Sequence, residues 1–463
     1  MYPTIFIIFG VTGDLSQRKL IPALLSLYVK KMLPRKFSVI GFSRRHFSRE
    51  DFRQYIRDNW SVKPGQYKEE DIKHFLDYVT YEQGFFDSSE GYVNLTTKLK
   101  SIDDSWGQCS NKLFHLATSP DFYEKILDAM AVNGLSVPCA GENEGWTRIL
   151  IEKPFGTDTD TAKRLDKKLA VLFDEDQIFR IDHYLAKESV QNLLTFRFTN
   201  HMFESLWNNE FIEKIHIKLL EKVDADGRGA FYDNFGALKD VGQNHVLQLL
   251  ALITMDRPKS FNALNIRKER AKIISRLRPI AKKQLTSHTV RGQYDGYTRE
   301  EGVPANSQTE TYFRIKSFID SARWKNVPLY LESGKGLYEN RSEIDIYFKV
   351  SKGSAPERGN ILTFRIQPDE GIKIRFWLKT QGYGHNGTHE TESKSLKFQY
   401  ADVPTLAKLP DAYERVFHDA IEGNQTLFTS SDEVIAAWKF ITPIAENWKD
   451  IPLTVYKKGA KEI

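Results

Sequence analysis

Five short apolar segments in the amino-terminal part of the chain constrain its fold more than any other feature. Polar or amphipathic stretches separate them, and several of these stretches are long enough for a helix. The apolar segments span residues 4–9, 37–42, 113–117, 147–151 and 177–181. Parallel strands need long crossover connections that are usually helical, so this alternation predicts βαβ units and a parallel sheet. Helices are expected at residues 15–28 and 48–60.

The carboxy-terminal half follows a different pattern. Strand-like segments lie close together there, separated only by short turns, at residues 344–350, 360–366, 372–378 and 395–400. Such spacing is typical of an antiparallel sheet. Helices are expected again at 411–422 and 431–448. A chain of 463 residues exceeds what one hydrophobic core usually serves. We therefore predict an α/β domain over residues 1–183 and an α+β domain with a large, mostly antiparallel sheet over residues 184–463.

Charge and composition argue against several classes of protein. Lys and Arg number 66 against 61 Asp and Glu, and the two signs are interspersed. This balance suits anionic small molecules and predicts no nucleic-acid partner. No segment reaches the length of a membrane span, so no membrane partner is expected. Cys109 and Cys139 have neither metal-ligand nor Cys-x-x-Cys spacing, which predicts a reducing cytoplasm and no metal site. The basic run 266–278 carries apolar residues at helical spacing and predicts a solvated helix face.

The first apolar segment runs into the turn Gly-Val-Thr-Gly-Asp-Leu at residues 10–15. Glycines at such a turn let a pyrophosphate approach the backbone, and the amides of the following helix then hold it. The alternative is a plain strand-to-helix turn. The second apolar segment is followed by Ser43, Arg44 and Arg45, with no acidic residue, and an arginine there accommodates the 2′-phosphate of NADP. The sequence therefore predicts a Rossmann-like first domain that prefers NADP.

The stretch Arg-Ile-Asp-His-Tyr-Leu-Ala-Lys-Glu at residues 180–188 concentrates ionisable side chains at a predicted strand-to-helix corner. If a helix begins near Ala186, then His183, Tyr184 and Lys187 share this corner. The first amides of a helix bind anions, most simply a phosphate. Asp182 is free for a different partner. The alternative interpretation is a charged helix start with a capping acid.

Two further residues are candidates for a site, and each also has an ordinary structural explanation. Lys153 follows a predicted strand in the string Glu-Lys-Pro-Phe-Gly, where Lys153–Pro154 is a candidate cis peptide, but it could be a simple exposed lysine. His245 lies in the segment 236–255, which is apolar almost all round after Asn244. Burying a histidine there is costly unless it is paired, although a backbone carbonyl could serve as the partner.

These strings carry a resemblance to a known family. The nonapeptide at 180–188 resembles the active-site signature of glucose-6-phosphate dehydrogenases, from which it differs only by Ala186 in place of glycine. Glu-Lys-Pro-Phe-Gly is similar to a second family string, as is the segment ending in Gln-Asn-His at residue 245, where Lys239 replaces an arginine. The string Leu-Pro-Asp-Ala-Tyr-Glu-Arg at 409–415 is a further match.

The resemblance implies an activity and a set of roles. Glucose 6-phosphate would be oxidised at C1 with hydride transfer to NADP, the first oxidative step of the pentose phosphate pathway. His245 would be the general base and Asp182 the acid that orients it. The implied substrate-binding residues are Lys153, His183, Tyr184, Lys187, Glu221, Asp240 and Lys335. The implied cofactor-binding residues are Gly10, Thr12, Gly13, Asp14, Leu15, Arg44 and Lys153, with Arg45 as an addition.

Two further departures from the family qualify the resemblance, and two rival functions stay open. Asn340 stands where the family has a second basic residue, so either Arg341 substitutes or the phosphate is bound more weakly. The chain ends soon after Tyr456, from which we expect the extra structural NADP site of animal members to be missing. The rivals are a dehydrogenase for other sugars and a non-catalytic NADP-binding or assembly protein. We further expect a homodimer or homotetramer.

Overall fold

The computed structural model describes residues 2–138, 145–225, 227–350, 359–380, 391–404 and 410–463. Six parallel strands build the first sheet, and the fully buried β1 and β2 lie within it, as expected where helices cover both faces. They are β1 (Thr4–Phe9), β2 (Phe37–Ser43), β3 (Val79–Gln83), β4 (Asn111–Leu116), β5 (Thr147–Ile151) and β6 (Ile178–Ile181). The predicted parallel sheet is confirmed.

Helices connect these strands as predicted. They are α1 (Ile21–Val29), α2 (Arg49–Asn59), α3 (Glu69–Asp77), α4 (Ser89–Trp106), α5 (Tyr123–Val132) and α6 (Thr159–Leu172). A π-helical segment, Ser16–Leu20, leads into α1 and accounts for the first turn of the expected helix 15–28. Ser48 caps α2, because its hydroxyl accepts the Asp51 N–H at 3.1 Å.

The second sheet is mostly antiparallel, as the spacing of its strands predicts. It contains β7 (Ile212–Leu220), β8 (Thr289–Tyr294), β9 (Tyr312–Ser317), β10 (Leu329–Gly334), β11 (Arg341–Phe348), β12 (Ile361–Gln367), β13 (Gly371–Lys379), β14 (Thr391–Gln399) and β16 (Leu453–Tyr456). Their order is β14-β13-β12-β11-β7-β10-β9-β8-β16, and only β7 with β10 and β8 with β16 pair in parallel.

The helices of the second half are α7 (Glu188–Thr199), α8 (His201–Glu204), α9 (Gly229–Asp233), α10 (Leu247–Thr254), α11 (Ala263–Ser275), α12 (Leu285–His288), α13 (Ala412–Glu422) and α14 (Ser431–Asn447). The π-helical segment Leu238–Val246 runs directly into α10, and we call the two together the His245 helix. It is buried along nearly its whole length. At its far end, the side chains of Arg197, Trp207 and Trp324 donate to the carbonyls of residues 252–255.

The carboxy-terminal part of the chain returns to the first sheet. Strand β15 (Phe428–Thr429) pairs antiparallel with β6 and completes the order β15-β6-β5-β4-β1-β2-β3. The Gln425 amide donates to the Ile178 carbonyl at 2.9 Å, which fixes the approach to this strand. The end of β6 is therefore held on one side by β5 and on the other by a segment 250 residues further along the chain.

The basic run 266–278 is not simply a solvated helix face. Arg267 and Arg270 on α11 are buried, and they pair with Glu175 at 2.5 Å and Glu433 at 2.8 Å. A buried guanidinium is tolerated because such a carboxylate neutralises it, and the pairing is invisible in the helical spacing alone. The prediction of a solvated face is therefore wrong for these two residues.

Three further observations concern the remaining expectations. Among the described residues, no helix combines the length and apolar character needed to cross a bilayer. Cys109 is disulfide-bonded, which does not fit the expectation of reduced cysteines. Cys139 lies outside the described residues.

Candidate active site

The nonapeptide at 180–188 forms the corner that its sequence predicts. Asp182 follows the end of β6, and its carboxylate accepts the Tyr184 N–H at 3.0 Å. The Leu185 N–H bonds back to the Asp182 carbonyl and the Lys187 N–H to the Tyr184 carbonyl, so the chain turns tightly. Helix α7 then begins at Glu188, slightly later than the expected start near Ala186.

Asp182 and His245 meet at this corner. The His245 Nδ1 and Asp182 Oδ1 atoms are 2.5 Å apart, and both side chains are about 97% buried or more. The partner of His245 is therefore a carboxylate rather than the backbone carbonyl that an ordinary core histidine would use. The contact spans 63 residues of sequence and joins the last strand of the first domain to the His245 helix.

The electrostatics of this pair suit proton abstraction. Burial lowers the pKa of His245 and outweighs the opposing charge of Asp182, so the imidazole is neutral near pH 7. Burial would raise the pKa of Asp182, but His245, His183 and Lys153 together hold it below its ordinary value. An ionised Asp182 accepts a hydrogen bond from Nδ1, which leaves the Nε2 lone pair of a neutral imidazole free to take a proton.

Aromatic contacts fix the orientation of the His245 ring. The Tyr184 ring stacks against it with centroids 4.4 Å apart, and the His183 ring meets it edge-on at 4.6 Å. The Lys187 ammonium in turn lies 4.3 Å from the centroid of the Tyr184 ring. Contacts of these types are favourable and directional, so the imidazole is held on several sides.

A cavity of about 430 Å³ opens beside His245, at the junction of the two sheets. All seven residues for which the resemblance implies substrate binding line it: Lys153, His183, Tyr184, Lys187, Glu221, Asp240 and Lys335. Asp182 lies behind His245. Sequence reasoning missed several other lining residues, among them Gln367, Arg228, Phe231, Phe235 and Asn244.

The charges of the cavity are paired with one another, and one of the two pairs joins the domains. Lys153 donates to the Asp240 carboxylate at 3.1 Å and to its backbone carbonyl at 2.7 Å. Lys335 pairs with Glu221. Burial opposes ionisation of Asp240, but Lys153 and Lys335 keep its pKa below the ordinary value. The cavity therefore presents both ammonium groups and carboxylates to a ligand, which suits a polyhydroxylated anion.

One end of the cavity carries the three side chains of the corner at which an anion site is expected, His183, Tyr184 and Lys187. Burial lowers the pKa of Lys187 to about 8 and also lowers that of His183, for which nearby His245 and Lys153 act in the same direction. Lys187 binds the Gln367 side chain, whose amide nitrogen lies 3.3 Å from the Tyr184 hydroxyl. No sequence signal singles out Gln367, because it reaches the corner from the end of β12.

A second predicted site lies at the carboxyl ends of β1 and β4, where the strand order of the first sheet reverses. Dinucleotides bind at such a switch point. Gly10 has φ +82°, and a Cβ there would lie 2.4 Å from the Ala117 carbonyl oxygen, so only glycine fits. Ser16 donates to the Gly10 carbonyl at 3.1 Å and Gln17 to the Val11 carbonyl at 2.7 Å, which shapes the turn.

The remaining cofactor candidates surround this turn. The Thr12 hydroxyl bonds to that of Ser43 at 2.9 Å and so ties the turn to the end of β2. Arg44 and Arg45 follow directly and are exposed. Gly13 lies in the turn itself, whereas Asp14 is exposed and pairs with Arg18 at 2.7 Å. Leu15 is partly buried against the core. An open glycine turn followed by two exposed arginines, of which Arg45 also contacts Tyr55, fits a dinucleotide that carries an additional phosphate.

Lys153 lines the cavity from the edge of the first sheet that also carries the glycine turn. It follows β5, and the bond to Pro154 is cis, as its sequence context suggests. Behind it, Glu152 is buried: its side chain bonds to His115 at 3.0 Å and its backbone carbonyl accepts from the Tyr123 hydroxyl at 2.9 Å. These contacts fix the backbone that presents Lys153 to the cavity.

Comparison with known proteins identifies the family. Residues 7–192 match the family model of the glucose-6-phosphate dehydrogenase NAD binding domain, and residues 194–462 match that of the C-terminal domain. The chain belongs to the glucose-6-phosphate dehydrogenase family. It is 41% identical over 477 aligned residues to glucose-6-phosphate 1-dehydrogenase of Borreliella burgdorferi, a match that covers 99% of this chain and 95% of that protein.

Other glucose-6-phosphate dehydrogenases are similar over the same length. The Bacillus subtilis enzyme is 36% identical, with 96% of this chain and 91% of that protein covered. A solved structure described as glucose-6-phosphate dehydrogenase in complex with its substrate glucose-6-phosphate superimposes with a TM-score of 0.90. It is 34% identical, and the match covers 99% of this chain and 95% of that one.

Two departures from the glucose-6-phosphate dehydrogenase strings can now be placed. Ala186 does not have a positive φ, so its methyl group adds no backbone strain. Arg341 does not line the cavity; it pairs with Glu339 and Glu343 beside a separate cavity of about 320 Å³. The Asn340 side chain accepts the Lys222 N–H at 2.7 Å. The position of Arg341 therefore does not favour its acting as a substitute for the missing basic residue.

Proposed function

We propose that this chain oxidises glucose 6-phosphate at C1 to 6-phosphogluconolactone, with NADP as the hydride acceptor. The observation that carries the proposal is the Asp182–His245 pair beside a cavity whose one end is cationic. A solved family member that is 34% identical is described as a complex with glucose 6-phosphate, which supports the same substrate class here.

The proposed base is His245. Its Nε2 atom takes the proton of the C1 hydroxyl, and Asp182 stabilises the imidazolium that forms. The same carboxylate holds the proton on Nδ1 beforehand, so the reactive nitrogen is always the unprotonated one. NADP, when bound, supplies the hydride acceptor at its nicotinamide.

The cavity divides the substrate between two sets of side chains. His183, Tyr184 and Lys187 hold the phosphate. Its two negative charges raise the pKa values of His183 and Lys187, which burial lowers, and so favour the cationic forms of both side chains. The sugar hydroxyls bind Lys153, Glu221, Asp240 and Lys335. In this proposal a sugar hydroxyl forms hydrogen bonds to both members of each lysine–carboxylate pair. The pairs Lys153–Asp240 and Lys335–Glu221 form again when the substrate leaves, so these charges keep a partner.

The turn at the end of β1 would hold the cofactor. Gly10, Thr12, Gly13 and the first residues of the following helix, Asp14 and Leu15, would lie against the pyrophosphate. Arg44 would pair with the 2′-phosphate, with Arg45 beside it. Lys153 would contact both cofactor and substrate, since it lines the cavity and follows β5, the neighbour of β4 in the first sheet.

A coupled comparison of substrates tests the function. Purified protein is given glucose or glucose 6-phosphate with NADP or NAD, and the absorbance of the reduced cofactor is followed. Turnover that requires both the phosphate and NADP supports the proposal. Equal turnover of glucose would favour a dehydrogenase for other sugars, and absence of turnover with bound NADP would favour a non-catalytic binding protein.

We also propose a boundary between the two domains near residue 183, a homodimer or homotetramer in solution, and a cytoplasmic location. The boundary places Asp182 in the first domain and the phosphate-binding corner at the junction. Light scattering tests the assembly. Thiol labelling of protein extracted under alkylating conditions tests the compartment, since a Cys109 protected from labelling would argue against a reducing one.

A further inference from the structure

The start of the His245 helix is not capped by its own sequence. The residue at the cap position is Ala237, which has no side-chain acceptor, and Gly236 precedes it. Instead, Glu310 supplies two acceptors from the segment just before β9. Its backbone carbonyl accepts the Ala237 N–H and its carboxylate accepts the Leu238 N–H, both at 3.0 Å. Unpaired amides at a buried helix start are costly, so these two bonds stabilise the start of the His245 helix.

The position next to this carboxylate admits only a glycine. Gly236 has φ +67°, and a Cβ there would lie 2.3 Å from the nearer carboxylate oxygen of Glu310. Glu310 itself is only 8% exposed. The glycine, the alanine and the distant glutamate therefore form one unit that sets where the helix begins.

The residue after Glu310 holds the other side of the cavity. The Thr311 carbonyl accepts the Lys335 N–H at 2.9 Å. The Thr311 hydroxyl bonds to the Tyr456 hydroxyl at 2.8 Å, and Tyr456 donates to the Lys335 carbonyl at 2.7 Å. Glu310 and Thr311 are consecutive residues, and they fix two parts of the site. Glu310 holds the helix start at Leu238, two residues before Asp240, and Thr311 holds Lys335.

We propose that Glu310 is a positioning residue for the substrate, acting as a distant helix cap that places Asp240 relative to Lys153 and Lys335. The inference rests on the proposed roles of these three residues. The far end of the His245 helix is held separately by Arg197, Trp207 and Trp324, and His245 is held by Asp182. Loss of the cap therefore displaces Asp240 more than the base.

The protonation of Glu310 offers a second readout. Burial raises its pKa to about 7, against the Leu238 N–H and the charges of Arg291 and Lys239. The other titratable groups that face it are Tyr232 on α9 and Tyr297. An ionised carboxylate is the stronger acceptor for a backbone N–H, so the cap strengthens as the pH rises through 7.

Two substitutions at this position separate the possibilities. Glu310→Ala removes the acceptor, and we expect the KM for glucose 6-phosphate to rise about fivefold with kcat and the KM for NADP changed less than about twofold, from the usual effect of losing a cap. Glu310→Gln keeps an acceptor oxygen, so its KM should stay near that of the parent. Its KM should also lack the component that changes between pH values below and above 7.

Glu433 provides the matched control. It is also a buried carboxylate at a helix start, where it accepts the Ser430 N–H at 2.8 Å, but the helix that follows, α14, contributes no residue to the cavity. Glu433→Ala, matched to Glu310→Ala, should lower the melting temperature without changing the KM for glucose 6-phosphate. A purely structural role for Glu310 would give the same result for both residues.

The outcomes are decisive in each case. A folded Glu310→Ala protein with an unchanged KM overturns the proposal. If that variant does not fold, a Glu310→Gln protein whose KM keeps the parent's change across pH 7 overturns it instead. Calorimetric titration with glucose 6-phosphate accompanies the kinetics. A parent protein that binds the sugar phosphate without turnover would contradict the proposed function. The role of Glu310 would still be tested in that case, by the ratio of the dissociation constants of Glu310→Ala and the parent for glucose 6-phosphate.

Discussion

The substrate cavity and the cofactor turn differ in how their cationic side chains are paired and exposed. In the cavity, Lys153 pairs with Asp240 and Lys335 with Glu221, and burial depresses the pKa of Lys187. At the turn, Arg44 and Arg45 are exposed and remain hydrated. A buried ammonium without substrate needs an internal partner or loses its proton, whereas an exposed guanidinium needs neither. The cavity lysines Lys153 and Lys335 are therefore already paired with carboxylates before a ligand binds, whereas the arginines of the turn are exposed to solvent and accessible to a phosphate.

The largest effect should come from the base, which neither set of charges can replace. His245→Asn should lower kcat at least about a hundredfold, the lower range for general-base catalysis, while binding of glucose 6-phosphate stays nearly unchanged. Steady-state kinetics with calorimetric binding measure both quantities. His216→Asn is the matched control, because His216 also pairs with a carboxylate, Glu332 at 2.6 Å, but does not line the cavity. Unchanged turnover in the His245 variant would exclude it as the base.

The next effect tests the cationic end of the cavity. Lys187→Met should raise the KM for glucose 6-phosphate by about ten- to a hundredfold, as expected for a charged hydrogen bond to phosphate, and should leave glucose as a substrate unaffected. Lys268→Met, an exposed lysine on α11, should leave both kinetic constants unchanged. An equal loss with glucose would show that Lys187 acts on the structure rather than on the phosphate.

A smaller effect is expected at the cofactor turn, where the charge is exposed. Arg44→Ala should raise the KM for NADP about tenfold and leave that for NAD unchanged, because only NADP carries the 2′-phosphate. Arg45→Ala serves as the comparison: its guanidinium lies 5.5 Å from the Tyr55 ring, so it has an internal contact as well. If both cofactors lose affinity equally, the 2′-phosphate lies elsewhere.

The smallest expected effect is a pH dependence of the KM for glucose 6-phosphate that the KM for NADP does not share. Lys187 has a pKa of about 8 because it is buried, and its protonated form binds the phosphate, so affinity is present below that pH and lost as the pH rises through it. Bound phosphate opposes this loss, and the KM for glucose 6-phosphate should therefore rise only a few-fold above pH 8. The KM for NADP should not follow the same curve. In Lys187→Arg the rise should disappear, because a guanidinium stays protonated.

Much of the fold could be predicted from the chain because its pattern is local. Segments 4–9 and 147–151 coincide with β1 and β5, and the corner at 182–187 forms where its charged residues stand. Strand β15 could not be predicted, since its two residues become a strand only by pairing with β6 across almost the whole chain. The buried arginines of α11 were misjudged for the same reason: their carboxylate partners lie far away in sequence.

The site divides in a similar manner. The resemblance identified the residues that line the cavity, but whether His245 faces a carbonyl or a carboxylate depends on which strand the helix packs against. Gln367 and Glu310 carry no local signal, because each acts at a point where a separate strand meets the corner or the helix start.

The sequence by itself therefore determined the alternation of strands and helices, the glycine turn and the composition of the corner, all of which depend on neighbours within a few residues. Only the tertiary structure decided which charges pair, since a buried charge is unfavourable unless a residue distant in sequence lies beside it and neutralises it. The 2.5 Å contact between Asp182 and His245 is the clearest instance, because neither residue could remain there alone.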